Sequence, residues 1–169
     1  MMRYRTQRLE IRPFEEKDRE NMIDLFMDCV VKQTYMLPDF ESRDAAVRLF
    51  RKLMLMSLCP DFYVRGIYKN KRLIGMINHT EMDSDSMELG YVLHPDYHNR
   101  GYMSQALQTA IEELFQLGYR TVITGAFETN LPSIRVMEKC GMKKTEKTDT
   151  IPYRGKTHLC VYYKIEKQE

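Results

Sequence analysis

Between Met87 and Phe127 the chain runs strand, helix, strand, and this succession constrains the fold more than any other feature. Met87-Glu88-Leu89-Gly90-Tyr91-Val92-Leu93 reads as a strand. Ser104 to Leu117 carries Ala106, Leu107, Ala110, Ile111, Leu114 and Phe115 at helical spacing, with Gly118 placed to stop it. Arg120 to Phe127 holds the β-branched run Thr121-Val122-Ile123-Thr124. A strand that returns after a helix lies parallel to its predecessor. Upstream, Phe62 to Tyr68 and Arg72 to Glu81 predict two strands joined by the polar turn Lys69-Asn70-Lys71, and Met87 to Leu93 follows after Asp83-Ser84-Asp85. Three consecutive strands are an antiparallel meander. A meander that feeds a crossover makes a mixed sheet, so the fold class is α/β, in the sense of a mixed α+β domain.

The flanking segments agree. Thr6 to Pro13 alternates like a half-buried strand, and Pro13 closes it. Met22, Ile23, Leu25, Phe26 and Val30 predict a helix, with Glu15, Glu16 and Asp18 near its positive end. Ser42 is placed to cap a second helix whose stripe is Ala46, Leu49, Phe50, Leu53 and Met56. Asn130 and Pro132 open a short helix that ends at Gly141. Two last strands, 143–150 and 158–165, flank the turn Pro152-Tyr153-Arg154-Gly155. A chain of 169 residues with no linker, repeat or low-complexity stretch is expected to form one domain over 1–169.

Charge and cysteine content narrow the partners. Lys and Arg total 26 against 24 Asp and Glu, so the net charge of +2 supplies no general attraction to nucleic acid or to an acidic membrane. Nucleic-acid binding through Arg3, Arg5, Arg8 and Arg12 would have to rest on a local patch. No apolar run reaches bilayer-spanning length, and no apolar signal core follows Met1-Met2-Arg3-Tyr4-Arg5, so the expected location is the cytoplasm. Cys29, Cys59, Cys140 and Cys160 are scattered, and neither they nor His79, His94, His98 and His158 have metal-ligand spacing. They read as reduced packing residues, and no metal is expected.

The chemistry is expected at the end of the meander. His98-Asn99-Arg100-Gly101-Tyr102-Met103-Ser104 joins the third strand to the crossover helix. The first turn of a helix has N–H groups with no intrahelical partner and a positive dipole end, and Gly101 lets the main chain approach a ligand or take positive φ. Such a loop is a seat for phosphate. A glycine before a helix is equally compatible with a loop that binds nothing.

The element order, this loop, and Asn130-Leu131-Pro132-Ser133-Ile134-Arg135-Val136-Met137-Glu138-Lys139-Cys140-Gly141-Met142 together resemble the GNAT superfamily of acetyl-CoA-dependent N-acetyltransferases. Thr6-x-Arg8-Leu9-x-Ile11-Arg12 is similar to its Rim-type branch, which includes enzymes that acetylate N-termini of ribosomal proteins. The resemblance implies a twisted, mostly antiparallel sheet of six to seven strands, with a parallel pair splayed at the cofactor site and about four flanking helices. It implies acetyl-CoA as cosubstrate, a possible homodimer, and a pyrophosphate loop of the form Gln/Arg-x-x-Gly-x-Gly/Ala over His98 to Met103. Only Gly101 matches strictly; His98 and Met103 depart. By the same resemblance the main chain of Tyr91, Val92 and Leu93 pairs with the pantetheine arm, and Asn130 and Ser133 contact its far side. Asn130 is also an ordinary helix cap.

Acetyl transfer from a thioester to an amine needs a base, a donor for the tetrahedral oxyanion, and a proton for the leaving thiolate. The resemblance implies the Leu93 backbone N–H as that donor and Glu88 as the base, acting through a water. The competing reading of Glu88 is a side chain that merely projects into solvent. Many relatives place a Tyr in the short last helix where this chain has Met137, so the acid is absent or is Tyr102, Tyr153, His98 or solvent. The acceptor is a protein α-amine, by the Rim-type resemblance, or a small amine held near Tyr35-Met36-Leu37-Pro38-Asp39-Phe40, with Asp39 and Glu41 attracting its ammonium. An alternative of another class is a non-catalytic module that binds or senses acyl-CoA.

Overall fold

The computed structural model describes residues 4–6 and 8–168. Met1, Met2, Arg3, Gln7 and Glu169 lie outside the described residues, and with them Gln7 of the expected first strand and Arg3 of the four N-terminal arginines. The chain folds into two compact units, one of residues 1–78 with 91–106 and the other of residues 79–90 with 107–169.

In the first unit, β1 (Tyr4–Arg5) pairs antiparallel with β2 (Glu10–Arg12), and β2 with β3 (Val64–Lys69). The expected strand from Thr6 to Pro13 is confined to Glu10–Arg12, and a short strand ahead of it, Tyr4–Arg5, folds back to pair with it. Thr6 Oγ1 accepts from the N–H groups of Leu9 at 2.9 Å and Arg8 at 3.2 Å, a local side-chain turn that competes with extended pairing. β3 pairs with β4 (Arg72–Met82) through Asn70 and Lys71 at φ 49° and 67°, the left-handed pair that a tight hairpin turn requires.

The expected first helix also divides. Glu15 and Asp18 form a reciprocal capping box ahead of a 3-10 turn at Glu16–Asp18, and α1 (Arg19–Met27) follows. At Asp28 the backbone turns extended and the carboxylate accepts from Val30 and Val31 N–H at 2.8 and 2.9 Å, which starts the separate short helix α2 (Val31–Thr34). α3 (Arg43–Leu58) is capped by Ser42, as its sequence predicts. Phe14, Met22, Leu25, Phe26, Phe50, Tyr68 and Met76 form the centre of this unit's core. Arg12 lies at its edge and is only 3 % exposed. Its guanidinium sits 3.7 Å from the Tyr68 ring centroid and pairs with Glu15 at 2.9 Å and Asp18 at 3.5 Å. A buried Arg12 paired with Glu15 and Asp18 contributes nothing to a basic patch for nucleic acid.

In the second unit, β5 (Ser86–Leu93, of which 86–90 belong here) pairs parallel with β6 (Thr121–Phe127) over Ser86 to Leu89 and Thr121 to Thr124. This is the crossover pair expected from the sequence, and both strands run on past the ladder. α4 (Tyr102–Gln116) supplies the connection, with 107–116 in this unit. β6 pairs antiparallel with β8 (Lys156–Glu166), and β8 with β7 (Lys143–Tyr153), whose register slips between Lys144 and Thr148. α5 (Leu131–Lys139) lies between β6 and β7 in the chain. Met87, Leu89, Ile111, Leu114, Val122, Met137 and Val161 are buried.

The hydrogen-bonded strand order is β1-β2-β3-β4-β5-β6-β8-β7, mostly antiparallel with one parallel pair, so the mixed fold class holds. Among the described residues there are eight strands rather than six or seven, because the turn at Thr6 lets Tyr4–Arg5 pair as an additional strand, and five α-helices rather than four, because the chain turns at Asp28 and starts a further short helix. No helix among the described residues is long and apolar enough to cross a membrane.

Candidate active site

In the first unit, the end of β5 and the loop after it form a tight assembly. The His94 N–H donates to the Ile74 carbonyl at 2.8 Å, and Gly75 faces Val92 so closely that a Cβ there would lie 2.4 Å from the Val92 carbonyl oxygen. His98 Nε2 stands 2.8 Å from the Leu93 carbonyl oxygen. A carbonyl only accepts, so this ring nitrogen carries the proton. The residue that replaces the expected Gln/Arg therefore closes the loop onto its own strand. His94 Nδ1 accepts from the Asp96 N–H at 3.3 Å at the start of the short 3-10 turn Pro95–Tyr97.

Beyond that turn, Asn99 and Gly101 take φ of 58° and 73°, and α4 starts at Tyr102. Left-handed residues alternating with their neighbours ahead of a helix turn successive N–H groups toward one concavity, which favours an anion. Sequence reasoning found Gly101 but not the left-handed Asn99. It also missed the braces. Arg8 donates to the Arg100 carbonyl at 3.1 Å and lies 5.1 Å over the Tyr102 ring, and Lys69 donates to the Tyr102 hydroxyl oxygen. That hydrogen bond, helped by the charges of Lys69, Arg100 and Arg8, pulls the Tyr102 phenol below its ordinary range. Met103, at the position expected to be small, is buried. The signal for Arg8 lay in Thr6-x-Arg8-Leu9.

The segment expected to line an acceptor pocket is anchored in the same unit's core. Leu37 is buried, Phe40 stacks on Phe26 with centroids 6.0 Å apart, and the Tyr35 hydroxyl donates to Asn78 Oδ1 at 2.6 Å. Burial pushes the Tyr35 phenol far up. Met36 is exposed.

In the second unit, Glu88 is not a bare surface carboxylate. Its side chain is 16 % exposed, Thr80 Oγ1 donates to its Oε1 at 3.0 Å, and Lys147 Nζ stands 3.7 Å from its Oε2. Lys147 also lies 4.1 Å over the Tyr162 ring. Tyr162 donates to Asp149 Oδ2 at 2.7 Å, and burial together with that bond raises its phenol strongly. Burial raises the Cys160 thiol as well. Strand register explains the grouping: Glu88 is opposite Ile123, Gly125 opposite Tyr162 and Cys160 opposite Asp149, and paired or alternate positions share one face. Lys147, Asp149 and Tyr162 went unnoticed in the sequence because only this register brings them to Glu88.

Asn130 Oδ1 accepts from the Ser133 N–H at 3.3 Å, so Asn130 does cap α5. Met137 is fully buried and offers no proton. Of the alternative acids, the Tyr102 oxygen is held by Lys69, and Tyr153 borders the stack of Phe127 on His158, whose ring centroids are 4.2 Å apart. Thr124, where the parallel ladder stops, is 0 % exposed and its hydroxyl has no partner among the described residues. No group of three or more His, Cys, Asp or Glu among the described residues is arranged to hold a metal ion.

The sequence and structure match known proteins. The model of the acetyltransferase (GNAT) domain matches residues 8–143. The uncharacterized N-acetyltransferase YnaD of Bacillus subtilis (strain 168) is 31 % identical over 146 residues, 85 % of this chain and 84 % of that protein. The crystal structure of a GNAT-family acetyltransferase from Bacillus anthracis has a TM-score of 0.85 at 27 % identity, over 98 % of each chain. RimL, a ribosomal L7/L12 alpha-N-protein acetyltransferase solved with coenzyme A, shares the fold at a TM-score of 0.85 and 17 % identity, over 95 % of each chain.

Proposed function

Because the chain belongs to the GNAT family of acetyltransferases, which draw on acetyl-CoA, we propose that it moves the acetyl group to a primary amine by direct attack of that amine on the thioester. The observation that carries the site assignment is the braced loop, with Asn99 and Gly101 left-handed immediately before α4 and Arg8 and Lys69 fixed against it. In this reading the diphosphate of coenzyme A sits on main-chain N–H groups of residues 98–104, which explains why His98 and Met103 are tolerated: the contacts do not need their side chains. The main chain of Tyr91 to Leu93 pairs with the pantetheine arm, Asn130 and Ser133 border its far side, and the Leu93 N–H receives the oxyanion.

Glu88 removes the proton from the attacking amine, directly or through one water. An alkylamine has a reference pKa of about 10 and a chain terminus about 8, so either arrives mostly protonated at neutral pH. The acceptor class is a protein N-terminal α-amine or a small-molecule amine, and we take residues 1–169 as one N-acetyltransferase domain working in the cytoplasm. Buried Met137 supports a second reading, a module that binds acyl-CoA without turning it over. Calorimetry with coenzyme A, followed by an acceptor screen of N-terminal peptides, polyamines, amino acids and aminoglycosides, separates the two. Binding with turnover, and a loss of about 10²- to 10⁴-fold in kcat/KM in Glu88→Gln at unchanged coenzyme A affinity, fits the enzyme. Binding with no turnover across the screen leaves the module, and no binding removes both.

A further inference from the structure

Lys147 lies on the edge strand β7, where a side chain would ordinarily point to solvent. The register of β7 against β8 slips between Lys144 and Thr148, a bulge that re-aims the residues within it. Thr145 sets the bulge: its hydroxyl donates to the Tyr162 carbonyl at 3.1 Å, and its Oγ1 accepts from the Lys147 N–H at 3.2 Å. The Lys147 side chain then folds across the sheet face, 4.1 Å over the Tyr162 ring, and its ammonium ends 3.7 Å from Glu88 Oε2. An aromatic face beside a carboxylate is a cradle for an alkylammonium.

A general base must stand within hydrogen-bond reach, or one water, of the proton it removes. The reading of Glu88 as the base therefore fixes where the acceptor amine has to be, and a primary amine of this chain is already at that place. We infer that Lys147 is a site of self-acetylation, a conclusion that rests on the proposed function. The Lys147 ammonium loses a proton to Glu88 and its nitrogen bonds to the acetyl carbonyl carbon. The carbon–sulfur bond then breaks, and the amine's second proton is lost as the acetamide forms. Coenzyme A leaves as the thiol with one of these two protons, and the other goes to solvent. The acetamide is uncharged, so the ion pair with Glu88 and the attraction to Tyr162 are both lost and the cradle is open to another amine.

The test needs no known acceptor. Purified protein is incubated with acetyl-CoA, and the acetylation rate of each lysine is read by peptide mass spectrometry, with Lys143 and Lys144 on the same strand as internal references for uncatalysed chemistry. Lys147 is expected to react at least about 10-fold faster than either, at a rate independent of protein dilution, and Glu88→Gln should bring it down to theirs. In Lys147→Arg, the fast phase should vanish while the reference lysines are unchanged. Reaction of Lys147 no faster than Lys144, or at a rate proportional to protein concentration, in protein shown by calorimetry to bind coenzyme A, overturns the inference and leaves the proposed function standing. Failure to bind coenzyme A at all overturns both.

Discussion

Gly75→Ala probes a close approach between β4 and the end of β5. An alanine Cβ would meet the Val92 carbonyl oxygen at 2.4 Å, Leu93 Cδ1 at 3.0 Å and Leu93 Cα at 3.1 Å, whereas ordinary contact begins at 3.4 Å. Two of the three atoms are backbone, so no side-chain rotation relieves the overlap, and β5 has to retreat by about 1 Å at Val92. A clash of this kind costs about 1–3 kcal/mol, and the roughly 0.5–1 kcal/mol that alanine gains over glycine in a strand offsets only part of it. The same retreat moves the Leu93 N–H, and a misplacement of about 1 Å in a catalytic group lowers the rate by about 10²-fold. Urea unfolding reads the first effect, and initial rates with an acceptor identified by screening read the second. A variant as stable as wild type refutes the packing argument. One that is destabilised yet keeps its kcat refutes the assignment of the oxyanion to Leu93.

Three further outcomes follow from the same structure. Arg12→Ala leaves the buried Asp18 without its cation and removes the guanidinium over Tyr68, so urea unfolding should show a loss of about 3–5 kcal/mol, and a loss under about 1 kcal/mol contradicts the buried network. Thr124→Val replaces a buried hydroxyl that has no partner among the described residues and should stabilise the protein by about 1 kcal/mol; destabilisation in the same assay would show that the hydroxyl is bonded after all. Alkaline titration should uncover the raised groups. Burial lifts the Cys140 thiol from 9.0 to about 11, and burial with Asp18 beside it lifts the Tyr68 phenol further still. The folded state keeps protons that the unfolded chain gives up, so unfolding free energy should carry no slope from these groups below about pH 9 and fall as pH rises beyond it. Flat stability from pH 9 to 11 counts against the burial of Cys140.

Much of the architecture could be read from local pattern. The alternating runs of β3, β4 and β5, the apolar stripe of α4 and the caps Ser42 and Asn130 each involve residues within a few positions of one another. Where the reading fell short, a short polar side chain had captured nearby N–H groups, as Thr6 does in the first strand and Asp28 in the first helix. The site divides the same way. Gly101 drew attention to the loop by its place ahead of a helix, whereas Arg8, visible only as part of Thr6-x-Arg8-Leu9, meets the loop from 92 residues away, and its bracing contact exists only once the chain has folded. Glu88 was singled out by the family resemblance, yet Thr80, Lys147 and Tyr162 around it were not.

By itself, then, the order of residues decided the succession of strands and helices, the mixed sheet and the glycine-bearing turn ahead of α4, because periodicity, capping and a glycine at a turn are short-range properties. Tertiary structure alone decided which charges surround Glu88 and what holds the turn in shape. Strand register and the bulge in β7 set the contacts around Glu88, and a register slip of one residue would send the side chains of a strand to the opposite face.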